Sequence, residues 1–262
     1  MKSLSTINYE KNNAVGRITF NGPEIHNAFN ATVISELSAL LSEIEIDPSI
    51  RVVVLTGAGK SFCAGADLNW MRSVVSQSFE ENLAESNKLA DLFYQFYTFR
   101  CPIIARVNGA AIGGGTGFVA VCDIAIASES SVFSFSEVKI GVVPACIGPY
   151  VIKKMGEGKA RELFITGERM NAVRAREVGL VNSVVADGDL DNEVDKLIAS
   201  ILSSGPSAVS MAKKLISEVS AMPPEEFKPY TAEIIARLRI SAEGQEGMDA
   251  FLNKRKPKWS AE

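Results

Sequence analysis

The chain has 262 residues, 47% hydrophobic and 22% charged, with a net charge of −4. That profile fits a soluble globular protein with one large domain, or one domain with a small appendage, and gives no basic surplus of the kind nucleic-acid binding needs. The four cysteines, Cys63, Cys101, Cys122 and Cys146, form no CxxC pair and have no histidine at metal spacing, which argues against a zinc site.

Met1 to Asn13 is polar and lacks the apolar core of a signal peptide. Ala14 to Phe20 alternates as a strand does and ends at the turn Asn21-Gly22-Pro23. Next, Val33, Ile34, Leu37, Leu40, Leu41 and Ile44 recur at three- and four-residue steps, predicting an amphipathic helix capped by Asn30 and closed by Pro48. Arg51 to Thr56 is a β-branched run, expected of a strand buried on both faces. Phe79 to Phe99 reads as a long helix ending before Pro102, followed by a strand over Ile103 to Val107. A short helix over Thr116 to Val121 and a strand over Ile124 to Ala127 come next. The apolar run Phe118 to Ala127 is broken by Asp123 and is too short to span a bilayer, so a cytoplasmic protein with reduced thiols is expected. Alternation of strand and helix to about residue 150 implies α/β architecture. Beyond it the chain reads as helical: Gly158 to Ile165, Ala172 to Gly179, Pro206 to Val219 and Tyr230 to Asn253.

Two glycine-rich loops stand out, Ser61-Phe62-Cys63-Ala64-Gly65-Ala66-Asp67-Leu68 and Asn108-Gly109-Ala110-Ala111-Ile112-Gly113-Gly114-Gly115-Thr116-Gly117. Each follows a predicted strand and opens a predicted helix, an arrangement that presents unpaired backbone N–H groups to an anionic oxygen. Two such donors meeting at one point make an oxyanion hole, and Glu137 in Phe133-Ser134-Phe135-Ser136-Glu137 is the candidate acid or base. Other readings of the same residues fail. Gly59-Lys60-Ser61 lacks the first glycine of a Walker A loop, because Val54 stands there. Phe118 occupies the last position of what would be G-x-G-x-x-G. No G-x-S-x-G elbow and no serine–histidine pair is expected; the only histidine, His26, reads as a structural or surface imidazole. Asp67 reads as a helix cap.

These loops, with Asn27-Ala28-Phe29-Asn30, Cys122-Asp123, Phe135-Ser136-Glu137, Ile140-Gly141-Val142-Val143-Pro144, Thr166-Gly167-Glu168, Ala175-Arg176-Glu177-Val178-Gly179-Leu180-Val181 and Glu246 to Pro257, resemble the crotonase (enoyl-CoA hydratase/isomerase) superfamily over nearly the whole chain. The resemblance implies a spiral of ββα units over residues 1–200 carrying the CoA and acyl site. A helical trimerisation region over 201–262 would pack on the core and on a neighbouring subunit, in a homotrimer or a dimer of trimers. The substrate would be an acyl-CoA thioester, with CoA as part of the substrate and no metal or redox cofactor. By position, the N–H groups of Ala66 and Gly114 would hold the thioester oxygen and Glu137 would be the acid/base. The Ala64 carbonyl and Leu68 would face the adenine of CoA, Phe251 would cover part of the ligand, and Lys254, from this or another subunit, would face a phosphate. Gly117, Trp70, Cys146 and Tyr150 fall in the implied substrate pocket.

One position departs from the pattern. Two-glutamate hydratases of the family carry a glutamate where this chain has Gly117, and only the second, Glu137, is retained. Ala66 to Arg72 and Pro144 to Tyr150 resemble bacterial hydratases of 3-methylglutaconyl-CoA or related carboxylated enoyl-CoAs. A branched or carboxylated substrate is therefore expected, with Gly117 opening space and removing a like charge. Arg72 would pair with the substrate carboxylate or, in the favoured reading, face solvent. The expected reaction is addition of water to a 2-enoyl-CoA. Its rivals are a Δ3,Δ2-enoyl-CoA isomerase, for which a lone glutamate suffices, and, from a different class, a non-catalytic acyl-CoA or RNA-binding member of the family. Thiol catalysis through Cys63 or Cys146 is disfavoured, because neither has a histidine or lysine neighbour in sequence.

Overall fold

The computed structural model describes residues 4–220 and 222–260. Residues 1–3, 221 and 261–262 lie outside the described residues, and with them the two extreme ends of the predicted regions. The chain opens with an antiparallel pair, β1 (Ile7–Asn12) and β2 (Val15–Phe20), turned at Asn13, which has a left-handed φ of 50°. β1 lies in the stretch read only as polar; its burial pattern leaves just Ile7 fully inside, so period-2 alternation is weak there. α1 (Ala31–Glu45) starts where Asn30 accepts hydrogen bonds from the Thr32 and Val33 N–H groups, as its sequence implies.

The chain then winds in repeated ββα turns. β3 (Val52–Gly57) and β4 (Ser61–Cys63) lead into α2 (Leu68–Val74) and α3 (Phe79–Thr98). β5 (Ile103–Val107) and β6 (Ala110–Ile112) lead into α4 (Gly114–Val121). β7 (Ile124–Ser128) and β8 (Val132–Ser134) lead, through a 3-10 turn at Ser136–Ile140, into α5 (Gly148–Met155) and α6 (Glu157–Thr166). The chain continues through β9 (Arg169–Asn171), α7 (Ala172–Glu177), β10 (Ser183–Val185) and α8 (Leu190–Leu202). Each turn gives one strand to each of two sheets. The larger runs β1-β2-β3-β5-β7-β10 and is parallel after its first pair; the smaller runs β4-β6-β8-β9. This is the ββα spiral the family resemblance implies.

β3 is buried on both faces, as its Val-rich run predicts. Val53 and Leu55 join the main core, while Val52 and Val54 pack in a second cluster with Leu190, Val194 and Ile198 of α8. That helix is absent from the sequence expectation, and it runs across the boundary expected at residue 200. The main core centres on Phe118 of α4, whose ring meets those of Phe20, Phe29, Phe93 and Phe96 at 4.9–5.6 Å between centroids. Aromatic packing of this kind fixes α4 against α3 and the sheets.

α9 (Pro206–Val219), α10 (Pro224–Ile240) and α11 (Ala242–Leu252) close the chain. The single helix expected over Tyr230 to Asn253 is instead two. Ser241 adopts extended backbone, and its hydroxyl caps α11 by accepting from the Gly244 N–H, which breaks the run. This region is tied to the core by polar contacts. Arg51 donates to the carbonyls of Leu202, Ser204 and Trp259, and Lys213 pairs with Asp123 at 2.8 Å. Among its described residues only Ala250 is buried within these three helices, while Ile216, Ile240 and Phe251 stand exposed. No helix among the described residues is long and apolar enough to cross a membrane.

Candidate active site

The loops after β4, β6 and β8, three neighbouring strands of the smaller sheet, converge on one cavity. Gly65 (φ +96°) lets the first loop come so near the second that a Cβ there would sit 2.8 Å from the Ile112 carbonyl oxygen. Phe29 forms a parallel bridge with Ala66, its N–H donating to the Gly65 carbonyl at 2.8 Å and its carbonyl accepting from the Asp67 N–H at 2.9 Å. Because the neighbours on either side make both bonds, the Ala66 N–H faces away from Phe29 and has no partner among the described residues. Gly114 begins α4, so its N–H has no preceding turn to donate to and is also unpartnered. The helix therefore starts two residues earlier than expected. The Thr116 hydroxyl, within hydrogen-bonding distance of the carbonyls of Ala111 and Ser134 at 2.6 and 3.0 Å, anchors this end of α4 to β6 and β8.

Glu137 lies in the 3-10 turn after β8. Its carboxyl rests against Gly113, where a Cβ would lie 3.3 Å from Oε1. Oε2 is buried with no hydrogen-bond partner among the described residues, and burial pushes the carboxyl above its usual range. The cavity measures about 500 Å³. Phe29, Leu89, Phe93, Ile140 and Val142 contribute to a largely apolar lining, broken by Ser86 and Ser136, in which, among the described residues, Glu137 is the only acidic side chain and no lysine or arginine takes part. Two free amide donors, a positive helix end and a carboxyl with one unpartnered oxygen thus face one largely apolar space, an arrangement able to hold a developing oxyanion and move a proton beside it.

Of the predicted site residues, Ala64, Ala66, Leu68, Trp70, Gly114, Glu137 and Cys146 line this cavity. Gly117 and Tyr150 do not. Gly117 opens no space: a Cβ there would lie 2.2 Å from Ile147 Cγ2 and 3.2 Å from Phe93 Cζ, so the room is already filled by hydrocarbon. Tyr150, on α5, turns to Tyr97, with ring centroids 5.1 Å apart. Phe251, 84% exposed, and Lys254 lie outside this chain's cavity, at and beyond the end of α11. Arg72 is exposed, donates to Asn69 and does not line the cavity. Asp67 caps α2 by accepting from the Asn69 and Trp70 N–H groups.

His26, contrary to expectation, does meet a serine: its Nδ1 lies 3.0 Å from Ser61 Oγ. Thirty-five residues separate the two, and the turn around Asn27 brings them together. The pair lies outside the cavity. Cys63 is buried and its thiol pushed up to about 12 by burial; Cys146, at the cavity wall, is also raised by burial. Neither resembles an activated nucleophile.

Asn27 and Asn108, conspicuous in the sequence motifs, hold backbone. Asn27 donates to the carbonyls of Ala58 and Ser61, and Asn108 to those of Gly57 and Gly59. The wall residues Leu89 and Phe93 were legible as one helical face of α3. Ile147 was not, since it lies in an irregular segment with no periodicity. A Gly117→Glu variant is expected to lose about 1–3 kcal/mol of stability through overpacking against Ile147, read as a fall in unfolding midpoint. Adding Ile147→Ala should recover part of that loss, and an unaltered midpoint in the single variant would contradict the packing described.

Among the described residues no cluster of three or more His, Cys, Asp or Glu side chains is arranged to hold a metal. The sequence matches the enoyl-CoA hydratase/isomerase family over residues 10–262. It is 33% identical over 259 residues to the short-chain-enoyl-CoA hydratase of Clostridium acetobutylicum, covering 97% of both chains. It is 32% identical over 249 residues to the crotonyl-CoA hydratase of Syntrophomonas wolfei, covering 94% of this chain and 95% of that one. The crystal structure of an enoyl-CoA hydratase from Shewanella pealeana superposes with a TM-score of 0.95 at 38% identity, over 98% of this chain and 97% of that one.

Proposed function

We propose, because the chain belongs to the enoyl-CoA hydratase/isomerase family, that it adds water across the 2,3 double bond of a 2-enoyl-CoA. The observation that carries this reading is the meeting of the Ala66 and Gly114 amides with the Glu137 carboxyl in one apolar cavity. As water attacks C3, negative charge moves onto the thioester oxygen. The two amides and the positive end of α4 receive it. Ionised Glu137 takes a proton from the water as its oxygen bonds C3, and the resulting carboxylic acid gives that proton to C2, so one group completes the proton balance.

Of the branched or carboxylated acyl groups expected, the lining favours a branched apolar one. A substrate carboxylate would be buried beside Glu137 with no cation from the lining to offset it. CoA enters as part of the substrate, its adenine near Ala64 and Leu68. Phe251 and Lys254 reach it from a neighbouring copy in a homotrimer or dimer of trimers. The exposed apolar side chains of α9 to α11 are consistent with such a neighbour. Arg255 in the basic tail is bonded to Glu246 and Asp249, which weakens the case for a nucleic-acid surface. The cellular site proposed is the cytoplasm.

A Δ3,Δ2-enoyl-CoA isomerase is the second reading, favoured by the Ile147 side chain packed against Gly117. A hydrocarbon wall holds no water, and one carboxylate suffices to shuttle a proton between C2 and C4. The absorbance of the conjugated thioester separates the two. It should fall on mixing the protein with crotonyl-CoA or 3-methylcrotonyl-CoA, and fall more slowly with 3-methylglutaconyl-CoA. Fastest loss with the last would restore the carboxylated substrate. No loss with any, but a rise with a 3-enoyl-CoA, would make the protein an isomerase.

A further inference from the structure

Trp70 borders two cavities. On one side it lines the candidate active site; on the other it lines a separate trough of about 440 Å³ between α1 and α3. The helix α3 divides its residues between them. Ser86, Leu89 and Phe93, on one face, line the active-site cavity, while Glu85, Lys88 and Asp91 line the trough. The facing wall of the trough is made by small side chains of α1, among them Ala31, Ser35 and Ala39. Among the described residues Trp70 is the one common to the two linings, and its indole is pinned at both ends. Its ring packs on Phe29 with centroids 5.8 Å apart, and its Nε1–H donates to Glu85 Oε2 at 3.0 Å. Ile147, which packs against Gly117, also lines the active-site cavity.

We infer that Trp70 sets the acyl-length limit of the active site by closing it off from the α1/α3 trough, with Glu85 as the positioning residue that holds the indole shut. The inference rests on reading the cavity as an acyl-CoA site. Short acyl groups end against the indole face and fit. A longer alkyl tail would have to enter the space the indole occupies, and removing the ring joins the cavity to a trough that can take the further methylenes. Glu85 lies on the trough side and does not line the active-site cavity, so its effect on acyl length must pass through Trp70.

The test is calorimetric titration of the full chain with saturated butyryl-CoA and decanoyl-CoA, which reports acyl fit without requiring turnover. Trp70→Ala is expected to move the ratio of the two affinities about 10-fold or more toward decanoyl-CoA. Trp70→Phe, which keeps a ring in the partition, should move it less, and Glu85→Ala should move it in the same direction as Trp70→Ala. An unchanged ratio in Trp70→Ala would overturn the role of Trp70. Should that variant fail to fold, Glu85→Ala decides: a shift toward decanoyl-CoA supports the partition, and an unchanged ratio overturns it. If the parent protein binds neither thioester, the acyl-CoA reading falls, and the inference with it.

Discussion

Glu137→Gln is expected to lower turnover by about 10²–10⁴-fold while leaving affinity for a saturated acyl-CoA nearly unchanged. Glutamine matches the carboxyl in shape but cannot accept and return a proton. The thioester oxygen would still meet the Ala66 and Gly114 amides, so binding has no reason to fail. Steady-state rates and calorimetric titration check the two halves separately. Loss of binding in step with turnover would assign Glu137 to ligand contact instead of proton transfer. The variant also carries a stability signature. Burial raises the folded-state pKa of Glu137 above its unfolded value. The favourable contribution of its neutral form is therefore full below the unfolded pKa and is lost as pH rises through the folded one. Above the folded pKa the parent buries a charge that glutamine lacks, so Glu137→Gln should melt no lower than the parent there and should flatten the decline in stability that the parent shows between the unfolded and the folded pKa. For the same reason, the acid limb of the parent's pH–rate profile should fall above the ordinary carboxylate range.

Gly115→Ala is the second change with a large expected effect, although Gly115 touches no ligand in the proposed mechanism. A Cβ there would lie 2.0 Å from the Cys63 carbonyl oxygen and 2.9 Å from its carbon. That neighbour is the backbone of β4 and cannot swing aside as a side chain can. Relief requires the start of α4 to back away from β4, carrying the Gly114 amide with it. A misplacement near 1 Å in catalytic geometry costs about 10²-fold in rate, and overpacking of this kind costs about 1–3 kcal/mol in stability. Rate and unfolding midpoint should fall together. A variant with parental kinetics would show that the two loops tolerate separation and that the two-amide arrangement is not essential.

Much of this architecture could be read from residue patterns because burial and periodicity coincide. The Val-rich β3, the capped α1 and the long α3 each carry a signal that local physics enforces. The small sheet is different. β4, β6, β8 and β9 have three residues each, too short for alternation to register, and they are held by partners far along the chain. α8 shows apolar steps at Leu190, Val194 and Ile198, yet its acidic first turn masks them. The break at Ser241 depends on a hydroxyl cap that a continuous apolar pattern overrides. At the site, the two glycine-rich loops and Glu137 stand out in the residues themselves, while the choice of Ala66 and Gly114 within the loops is what the family resemblance implies. Gly117 illustrates the limit. A glycine reads as empty space in sequence, whereas here the space belongs to Ile147, thirty residues on and in contact only through the fold.

The three neighbouring strands that lead to Ala66, Gly114 and Glu137 have one more consequence. Adjacent strands stand about 4.8 Å apart because backbone hydrogen bonds hold them there, so the ladder fixes the strand ends from which these groups follow within two or three residues, whichever side chains surround them. Walls such as residues 70, 140 and 147 can then vary without retuning the gap between the donors. A lineage can explore new acyl shapes one wall at a time while the reacting geometry is inherited intact, which makes this site easy to diversify and hard to disarm by changes in its lining.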